Sequence, residues 1–395
     1  MPRFVIKYLT LFFLLAGSLR LYAQTKDRLL LQDSAKLASL KRQYQTGDVA
    51  TITAVNKLLA DADKALNTGP FSVTLKKTKT APSGNIHDYV SQAPYWWADP
   101  SKPDGKPYIR KDGERNPEIY LLHDDTQMGE MCKAVKVLGF AYYFTGKDQY
   151  AQQAADLLTT WFINPNTRMA PNLNYAQYVP GVNDGRGTGI IESRGLSVIP
   201  DALAMMQDSK SIRPTLNSGI KQWFGDYLKW LLESKGGKDE QAAKNNHGTM
   251  YDMQVVDFAL FTGDVKVARE AIMKRTIGRM ETQFTTDGKQ PLELARTKSW
   301  GYSNMNLDGW VRLALLSDHL GIDLWQRETK DGKSIKKCLA FLMPYLLKQE
   351  NWTYQQIEPI SYNDLLMTCY FAAGKYPDLE IQKVFTMYPA PAPWM

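Results

Sequence analysis

The sequence predicts an all-α protein, built as a toroid or incomplete barrel of about six to seven helical hairpins. Apolar residues recur at helical spacing along most of the chain, whereas the β-branched alternation typical of strands is sparse. A helix–glycine–helix turn also recurs at Gly146, Gly263 and Gly374, with 117 (263 − 146) and 111 (374 − 263) residues between copies. This spacing is too long for a short-period solenoid and favours paired helices with long inserted loops.

The clearest helical signals lie at residues 49–67, 127–144, 150–162 and 253–261. At each glycine turn an aromatic residue ends one helix, and glycine is expected to adopt the left-handed cap before the next helix begins. Residues 71–75 are predicted to form one short strand. No Gly/Ser linker or shift in composition divides the chain, so residues 24–395 are predicted to form a single domain.

The composition excludes several protein classes. The 395 residues are 44% hydrophobic and 23% charged, which rules out a disordered or collagen-like chain. Three cysteines without a CxxC pair and four scattered histidines indicate neither a disulfide framework nor a histidine-built metal site. Asp124 and Asp125, which follow His123, are interpreted as the cap of a helix from Thr126, since adjacent residues seldom bind one ion together. We expect no metal and no other cofactor.

The first 23 residues are predicted to be a signal peptide. Arg3 and Lys7 precede the apolar residues 8–17, and Ala23 offers a small residue for cleavage. The apolar run is too short for a membrane span, and no cysteine follows it for a lipid anchor, so we expect a periplasmic or secreted protein. Removing Arg3, Lys7 and Arg20 changes the net charge from +7 (48 − 41) to +4 (45 − 41). This mild excess suits an anionic partner but lacks the basic clusters of a nucleic-acid binder.

Two long loops are the other informative feature. Residues 76–121 contain six prolines and the run Tyr95-Trp96-Trp97, and residues 167–188 are rich in Asn, Gly, Tyr and Pro. Loops of this length in a compact domain are usually functional. The three aromatic residues either pack into the core or stack on sugar rings, and a Pro-rich loop cannot turn all three inward.

Two polar segments carry the candidate chemistry. Asn246 and His247 stand in a row of polar residues just before a helical run, which places them near a helix start, facing a cavity or solvent. Arg296 and Tyr302 are six residues apart and would not share a face in an unbroken helix, although Gly301 is expected to relax that geometry.

These segments resemble the alginate lyase superfamily of helical-toroid polysaccharide lyases. The resemblance includes Asn246-His247, the run Glu293-Leu294-Ala295-Arg296 leading to Tyr302, and the Pro-rich pieces at residues 94–97 and 107–118. It covers residues 88–374. The step from Arg296 to Tyr302 is one residue shorter than in the best-known branch, which indicates a sister branch acting on mannuronan or glucuronan.

The resemblance implies β-elimination on a uronic-acid polymer, with poly-β-D-mannuronate as the expected substrate. A base must remove the weakly acidic C5 proton, and the resemblance implies this role for Tyr302. The adjacent carboxylate must be neutralised at the same time, and the resemblance implies this role for Arg296 together with Asn246 and His247. We expect Arg296 and His247 to lower the pKa of Tyr302, which then protonates the leaving O4. In mannuronate and glucuronate one group can serve both steps; in guluronate His247 would be a separate base.

A wider set of residues is predicted to bind the sugar chain. Arg194 either contacts a uronate carboxylate or forms a structural network with Glu192. The predicted substrate-binding residues are Tyr95, Trp96, Trp97, Arg194, Tyr251 and Asn183.

Other functions remain open from the sequence. Glucuronan differs from mannuronan only at C2, and nothing in the sequence reports on that carbon. A glycoside hydrolase would need two carboxylates across a cleft, and among Asp124, Asp125, Glu192 and Asp252 no pair stands out. A non-catalytic glycan-binding protein is the third alternative. In each case the partner is an anionic polysaccharide, and the sequence does not indicate an oligomeric state.

Overall fold

The computed structural model describes residues 29–76 and 79–394. The predicted signal peptide therefore lies outside the described residues. The prediction of an all-α toroid is confirmed, with short strands confined to the loops. The helices, numbered α1 to α15 in chain order, are Ser34–Thr46, Val49–Ala65, Asp124–Thr145, Asp148–Leu158, Val198–Met205, Pro214–Glu233, Lys235–Gln241, Asn246–Thr262, Val265–Ala271, Ile277–Gln283, Pro291–Leu294, Ser299–Asp318, Ile335–Leu346, Leu366–Ala372 and Val384–Met387.

Shorter helical pieces complete these elements. Two π-helical turns occur: Thr159–Ile163 extends α4, and Ile272–Thr276 joins α9 to α10. The 3₁₀ segments are Val73–Leu75, Pro117–Leu121, Gly187–Ser197, Tyr362–Leu365, Pro377–Leu379 and Ile381–Lys383. The longest of these, Gly187–Ser197, leads directly into α5 and packs on α7 and α8.

Five neighbouring helices form the inner layer. Helix α3 packs on α5, the 3₁₀ segment before α5 packs on α8, α8 packs on α12, and α12 packs on α14. Helices α2 and α4 pack on α3, α6 and α9 pack on α8, and α13 packs on α12, which gives the outer layer. Helices α3, α8 and α12 of the inner layer thus each pair with a neighbouring outer helix, as expected for stacked helical hairpins.

The glycine turns are confirmed at two of the three predicted positions. Gly146 ends α3 with φ 66° and Gly263 ends α8 with φ 88°, both in the left-handed conformation. Gly374 does not adopt a positive φ. There the amides of Lys375 and Tyr376 both donate to the carbonyl of Ala372, so the chain leaves α14 without a left-handed residue.

Two local predictions are wrong. Residues 71–75 contain the 3₁₀ turn Val73–Leu75 instead of a strand, because the Ser72 hydroxyl accepts a hydrogen bond from the amide of Thr74. Helix α3 begins at Asp124 rather than at Thr126, and His123 makes no side-chain capping bond. The Asp124 carboxylate instead accepts from Lys76 and from the amide of Val90, which ties the start of α3 to the loop before it.

Four short strands, β1 to β4, lie within the two long loops: Val90–Gln92, Trp96–Trp97, Ile109–Arg110 and Tyr175–Tyr178. Strands β1 and β4 pair in parallel and join the two loops, whereas β2 and β3 form an antiparallel hairpin. Because the amide of Val90 is bound to Asp124 at the start of α3, this small sheet lies beside the amino-terminal end of α3.

A continuous apolar core fills the space between the two helical layers, with Trp161, Trp300, Trp310 and Trp325 among its fully buried side chains. At the far end of the barrel the carboxylate of Asp201 accepts hydrogen bonds from the amides of Leu30 and Leu31, which fixes the start of the described chain. Within residues 29–76 and 79–394, no helix is both long and apolar enough to cross a membrane.

The Gly263 cap offers a test of the helical turns. A Cβ at this position would meet no atom within 4 Å, so the cost of Gly263→Ala comes from the left-handed conformation alone. We expect a loss of about 1 kcal/mol in the free energy of unfolding, measured by urea denaturation. Gly225→Ala is the matched control, because that position is helical and equally open. It should stabilise the protein by up to about 1 kcal/mol, and equal effects of the two variants would contradict this account.

Candidate active site

Asn246 and His247 are the first two residues of α8, as predicted. The side chain of Asn246 is fully buried, so of the two expected positions, facing a cavity or facing solvent, the second is excluded. Its amide nitrogen donates to Glu293 at 2.6 Å, and its backbone N–H donates to the other oxygen of the same carboxylate at 2.6 Å. Glu293 thus satisfies donors at the start of α8 that have no partner within the helix. Burial raises the pKa of Glu293, although these bonds act in the opposite direction.

His247 is held by a buried carboxylate. Its Nδ1 lies 2.6 Å from Oε1 of Glu240, which is the sixth residue of α7. The Glu240 side chain is 1% exposed and that of His247 is 21% exposed. A carboxylate accepts the Nδ1 proton, which leaves Nε2 as the basic atom of the ring and fixes the ring's orientation.

Arg296 lies against the ring of Tyr302. It occupies the turn between α11 and α12, and its guanidinium carbon is 3.8 Å from the centre of the phenol ring. The two residues do not share a helix, because α12 begins only at Ser299. The expectation that Gly301 relaxes an otherwise continuous helix is therefore wrong. The bend before α12 brings the two side chains together.

Asp112 fixes the other edge of Arg296. The carboxylate of this loop residue accepts from Nη2 of Arg296 at 2.7 Å and from Nε at 3.0 and 3.2 Å. It also accepts from the hydroxyl of Thr297. Burial alone would raise the pKa of Asp112, but the hydrogen bonds and charge of Arg296 lower it to about 2. Nη1 of Arg296 has no hydrogen-bond partner within the described ranges and is not among their buried unsatisfied atoms, so it is open to a ligand.

Tyr302 is in contact with the predicted sugar-binding loop. Its hydroxyl lies 2.8 Å from the hydroxyl of Tyr95, and the side chain is half-buried. Burial and then the hydrogen bond with Tyr95 raise the pKa of Tyr302 strongly, while the charge of Arg296 lowers it. The expected net lowering of this pKa is therefore not found in this arrangement, because the cost of desolvating a phenolate is larger than the effect of one cation.

Trp96 and Trp97, the other two residues of the predicted aromatic run, are half-buried and form β2 of the β2–β3 hairpin. The Trp97 indole N–H donates to the carbonyl of Glu114 at 3.0 Å, so this ring supports the hairpin. The Trp96 ring lies 5.9 Å from the guanidinium of Arg186. The structure thus brings Tyr95 to Tyr302, Trp96 to an arginine, and Trp97 to its own loop.

The other three predicted binding residues have different surroundings. Tyr251 is fully buried and its hydroxyl donates to the carbonyl of Leu231, so its prediction as a sugar-binding residue is wrong. Asn183 is exposed in a turn and lines a cavity of about 470 Å³ that also includes Gln92, rather than the cluster around Tyr302. Arg194 is reached by solvent, and its only hydrogen bond within the described chain is to the carbonyl of Ile191.

The predicted Arg194–Glu192 network is not a direct ion pair. Glu192 instead accepts from the hydroxyls of Tyr89 at 2.8 Å and Ser91 at 2.6 Å. Burial raises the pKa of Glu192 to about 7, although the hydroxyl of Ser91 acts against this. Within residues 29–76 and 79–394, no three possible ligands lie together as they would around a metal ion.

A sequence model of the alginate lyase family matches residues 72–352. The chain belongs to this family. An alginate lyase from Bacteroides ovatus is 41% identical and has a TM-score of 0.88, over 92% of this chain and 96% of its own. Alginate lyase A1-III from Sphingomonas species A1 is 16% identical with a TM-score of 0.54, over 87% of this chain and 89% of its own.

A variant of alginate lyase A1-III complexed with a tetrasaccharide gives a similar result, at 18% identity and a TM-score of 0.55, over 86% of each chain. At such low identity the likeness to A1-III shows the fold alone. No curated protein sequence matches the chain.

Sequence reasoning missed several members of this site. Asp112 lies 184 residues before its partner Arg296, and no local pattern links them. Glu240 precedes His247 by seven residues but belongs to a separate helix, so helical spacing does not predict their contact. Arg186 stands out in the sequence only as part of a Gly-rich run. Only their location could have indicated these two residues, since Asp112 and Arg186 both lie in the long loops that are expected to carry function.

The Asp112–Arg296 pair generates a testable prediction about the loop. In Asp112→Asn the loop loses its charged attachment to the turn before α12, so trypsin should cleave faster after Arg110, Lys111 or Arg115. We expect an increase of about ten-fold, since a hydrogen bond to a charged group contributes about 1.5–3 kcal/mol when cleavage follows local opening. Mass spectrometry of the fragments would measure it.

The matched control is Asp104→Asn, an exposed carboxylate of the same loop that accepts only from the amide of Lys106. It should leave the cleavage rate unchanged.

Because the pKa of Asp112 falls from 3.8 to about 2 on folding, the stabilisation that its carboxylate provides is present above about pH 4 and is lost as the pH falls towards 2. The protection factors of the amides in the wild-type loop, which correct for the pH dependence of intrinsic exchange, should fall across that interval, and a flat profile would contradict the assignment.

Proposed function

We propose that the protein cleaves a 1,4-linked uronic-acid polymer by β-elimination, and that its best substrate is poly-β-D-mannuronate, the mannuronate part of alginate. The observation that carries this proposal is the guanidinium of Arg296 lying on the phenol of Tyr302. His247 and Arg296 both lie close enough to Glu293 to lower its pKa, which supports a common site for the imidazole, guanidinium and phenol. The expected site of action is outside the cytoplasm.

Arg296 neutralises the substrate carboxylate in this proposal. Asp112 holds the Nε and Nη2 edge, and Nη1 donates to the sugar carboxylate. As negative charge moves from C5 into the carboxylate, a fixed cation stabilises the enediolate-like state more than the ground state. Asn246 acts as a positioning residue, since its amide is buried against Glu293.

Tyr302 serves as base and then acid on mannuronate. H5 and the C4 oxygen lie on the same side of a mannuronate ring, so one phenol can reach both. The phenolate takes the C5 proton, the electron pair forms the C4–C5 double bond, the C4–O bond breaks, and the same proton passes to the leaving oxygen. On guluronate the two groups lie on opposite sides, and Nε2 of His247 is the base while Tyr302 remains the acid.

Two of the four carboxylates considered for a glycoside hydrolase are already bound within the protein. Asp124 is bound to Lys76 and to the amide of Val90, and Asp252 is buried against Arg275 and Arg279. Neither is available as a nucleophile or as a base that activates water.

The direct test is to incubate the protein with poly-mannuronate, poly-guluronate and glucuronan and to follow the ultraviolet absorbance of the new double bond. Tyr302→Phe should lower the rate on poly-mannuronate by at least about 10²-fold, the scale of general acid–base catalysis. Tyr44→Phe is the matched control, since that ring lies on α1 and packs against Phe144 in the last turn of α3. New reducing ends without new absorbance would indicate hydrolysis and contradict the proposal.

Glu240 should matter most for the reaction that uses His247 as a base. Glu240→Gln keeps the size of the side chain but removes the negative partner of Nδ1. We expect the kcat on poly-guluronate to fall about ten-fold or more, with a smaller loss on poly-mannuronate. Equal losses on the two polymers would indicate that the Glu240–His247 pair has only a structural role.

A further inference from the structure

A second concave region lies between the two long loops. A cavity of about 470 Å³, which we call the loop cavity, is lined there by residues from 79–122 and from 178–184. Within the described chain, its lining does not include the residues gathered around Tyr302. The two loops are joined beside it, because the amide of Tyr108 donates to the carbonyl of Pro180 at 3.0 Å. The loop cavity is therefore built by both loops and is distinct from the candidate active site.

A line of hydrogen bonds runs along the wall of the loop cavity. The hydroxyl of Tyr178 donates to Oε1 of Gln92 at 3.1 Å, and Nε2 of Gln92 donates to Oε2 of Glu118 at 3.1 Å. The hydroxyl of Tyr108 donates to the same Glu118 oxygen at 2.8 Å. Both donors use Oε2, and Oε1 of Glu118 is not among the buried unsatisfied atoms of the described chain. This second oxygen is therefore open to a donor on a ligand.

Two lysines bring positive charge to the loop cavity. Nζ of Lys79 lies 3.5 Å from the centre of the Tyr178 ring, and Lys106 lies against Gly181, where an added Cβ would be 3.0 Å from the Cβ of Lys106. In the part of the chain that the structure describes, neither ammonium lies within salt-bridge distance of a carboxylate. Burial lowers the pKa of Lys79, and the charge of Asp184 acts against this. Both ammonium groups are thus available to an anion.

These groups together favour a sugar acid as the ligand. Ammonium groups without a carboxylate partner bind a ligand carboxylate, and the open oxygen of Glu118 accepts from a hydroxyl. The rings of Tyr108 and Tyr178 offer apolar surface to the face of a sugar. A fully ionised sulfate has no proton for Glu118, and a neutral sugar makes no use of the lysines. A volume of 470 Å³ also lies within the range of ligand-binding pockets.

The loop cavity is close to the candidate active site along the chain. Gln92 in its wall is three residues before Tyr95, whose hydroxyl lies 2.8 Å from that of Tyr302. Three residues span at most about 11 Å when fully extended. A polymer of several sugars is long enough to reach from one site to the other.

We propose that the loop cavity is a second uronate-binding site, in which Lys79 and Lys106 hold the carboxylate of a sugar residue away from the cleaved linkage. The inference rests on the proposed function for its ligand, since it takes the same uronic-acid polymer. Arg296 acts on the sugar that loses its C5 proton, whereas the two lysines retain the polymer. Two linked sites raise the overall affinity for a long chain without a new contact at the reacting sugar.

The experiment measures binding rather than cleavage. A mannuronate hexasaccharide and its fully methyl-esterified form would be titrated by calorimetry into the Tyr302→Phe protein, with and without the pair Lys79→Gln and Lys106→Gln. For the acid form we expect the pair to raise the Kd about ten-fold or more, because the linked second site is lost. For the ester the pair should leave the Kd unchanged, because no carboxylate remains to be bound.

Two further pairs of substitutions keep the result interpretable. Replacing Lys79 and Lys106 by arginine retains both charges and should keep most of the affinity for the acid form. The pair Lys57→Gln and Lys102→Gln removes the same charge from exposed positions outside the loop cavity and should change neither Kd. Thermal unfolding of each variant would report whether the barrel is intact.

The outcomes separate the second site from the proposed reaction. Equal weakening of acid and ester binding, no weakening of acid binding, an equal effect of the control pair, or no binding of the acid form to the Tyr302→Phe protein would each overturn the second site. Arg296→Gln in the same Tyr302→Phe protein tests the candidate active site separately. If it leaves the Kd unchanged while the lysine pair raises it, the proposed function fails and the second site stands.

Discussion

Arg296 is in contact with two parts of the molecule that are far apart in sequence. One face of its guanidinium lies on the ring of Tyr302, and one edge is bound by Asp112 of the Pro-rich loop. Stacking fixes the plane of the guanidinium, and the paired hydrogen bonds fix its rotation within that plane. The remaining N–H groups therefore point in a set direction without help from a substrate. The order of the loop, the position of the phenol and the reading of a carboxylate all depend on this arrangement.

The barrel explains why these groups meet. Helix α3 begins beside the small sheet, at Asp124, α12 begins near Tyr95 of the loop, at Ser299, and α8 begins against Glu293, at Asn246. Their amino-terminal turns carry unsatisfied N–H groups and the positive end of the helix dipole, so this end of the barrel favours bound anions. At the start of α8 the carboxylate of Glu293 accepts a hydrogen bond from one of these N–H groups. The proposed substrate, a chain of carboxylates, matches the electrostatic preference that the fold creates.

Much of the fold could be predicted because its signals are local. The left-handed glycines at 146 and 263 and the apolar spacing of α2 depend only on neighbouring residues. The candidate site was partly predictable, since Asn246 and His247 belong to a polar run that begins a helix. The partners of Arg296 and His247 could not be predicted, because Asp112 and Glu240 reach them through tertiary packing. The prediction for Tyr251 failed for the same reason, because the packing of α8 turns this side chain towards the core.

The raised pKa of Tyr302 constrains how the proposed reaction proceeds. With Tyr95 hydrogen-bonded to it and protein around it, the phenol strongly retains its proton. A substrate entering between the loop and α12 would replace the hydroxyl of Tyr95 with its own C4 oxygen and C5 hydrogen, while Asp112 kept Arg296 on the ring. Burial, the largest cause of the raised pKa, remains after this exchange, and Arg296 is the group that favours the phenolate. The loop therefore makes two contacts with the site: Asp112 holds Arg296, and Tyr95 holds the hydroxyl of Tyr302.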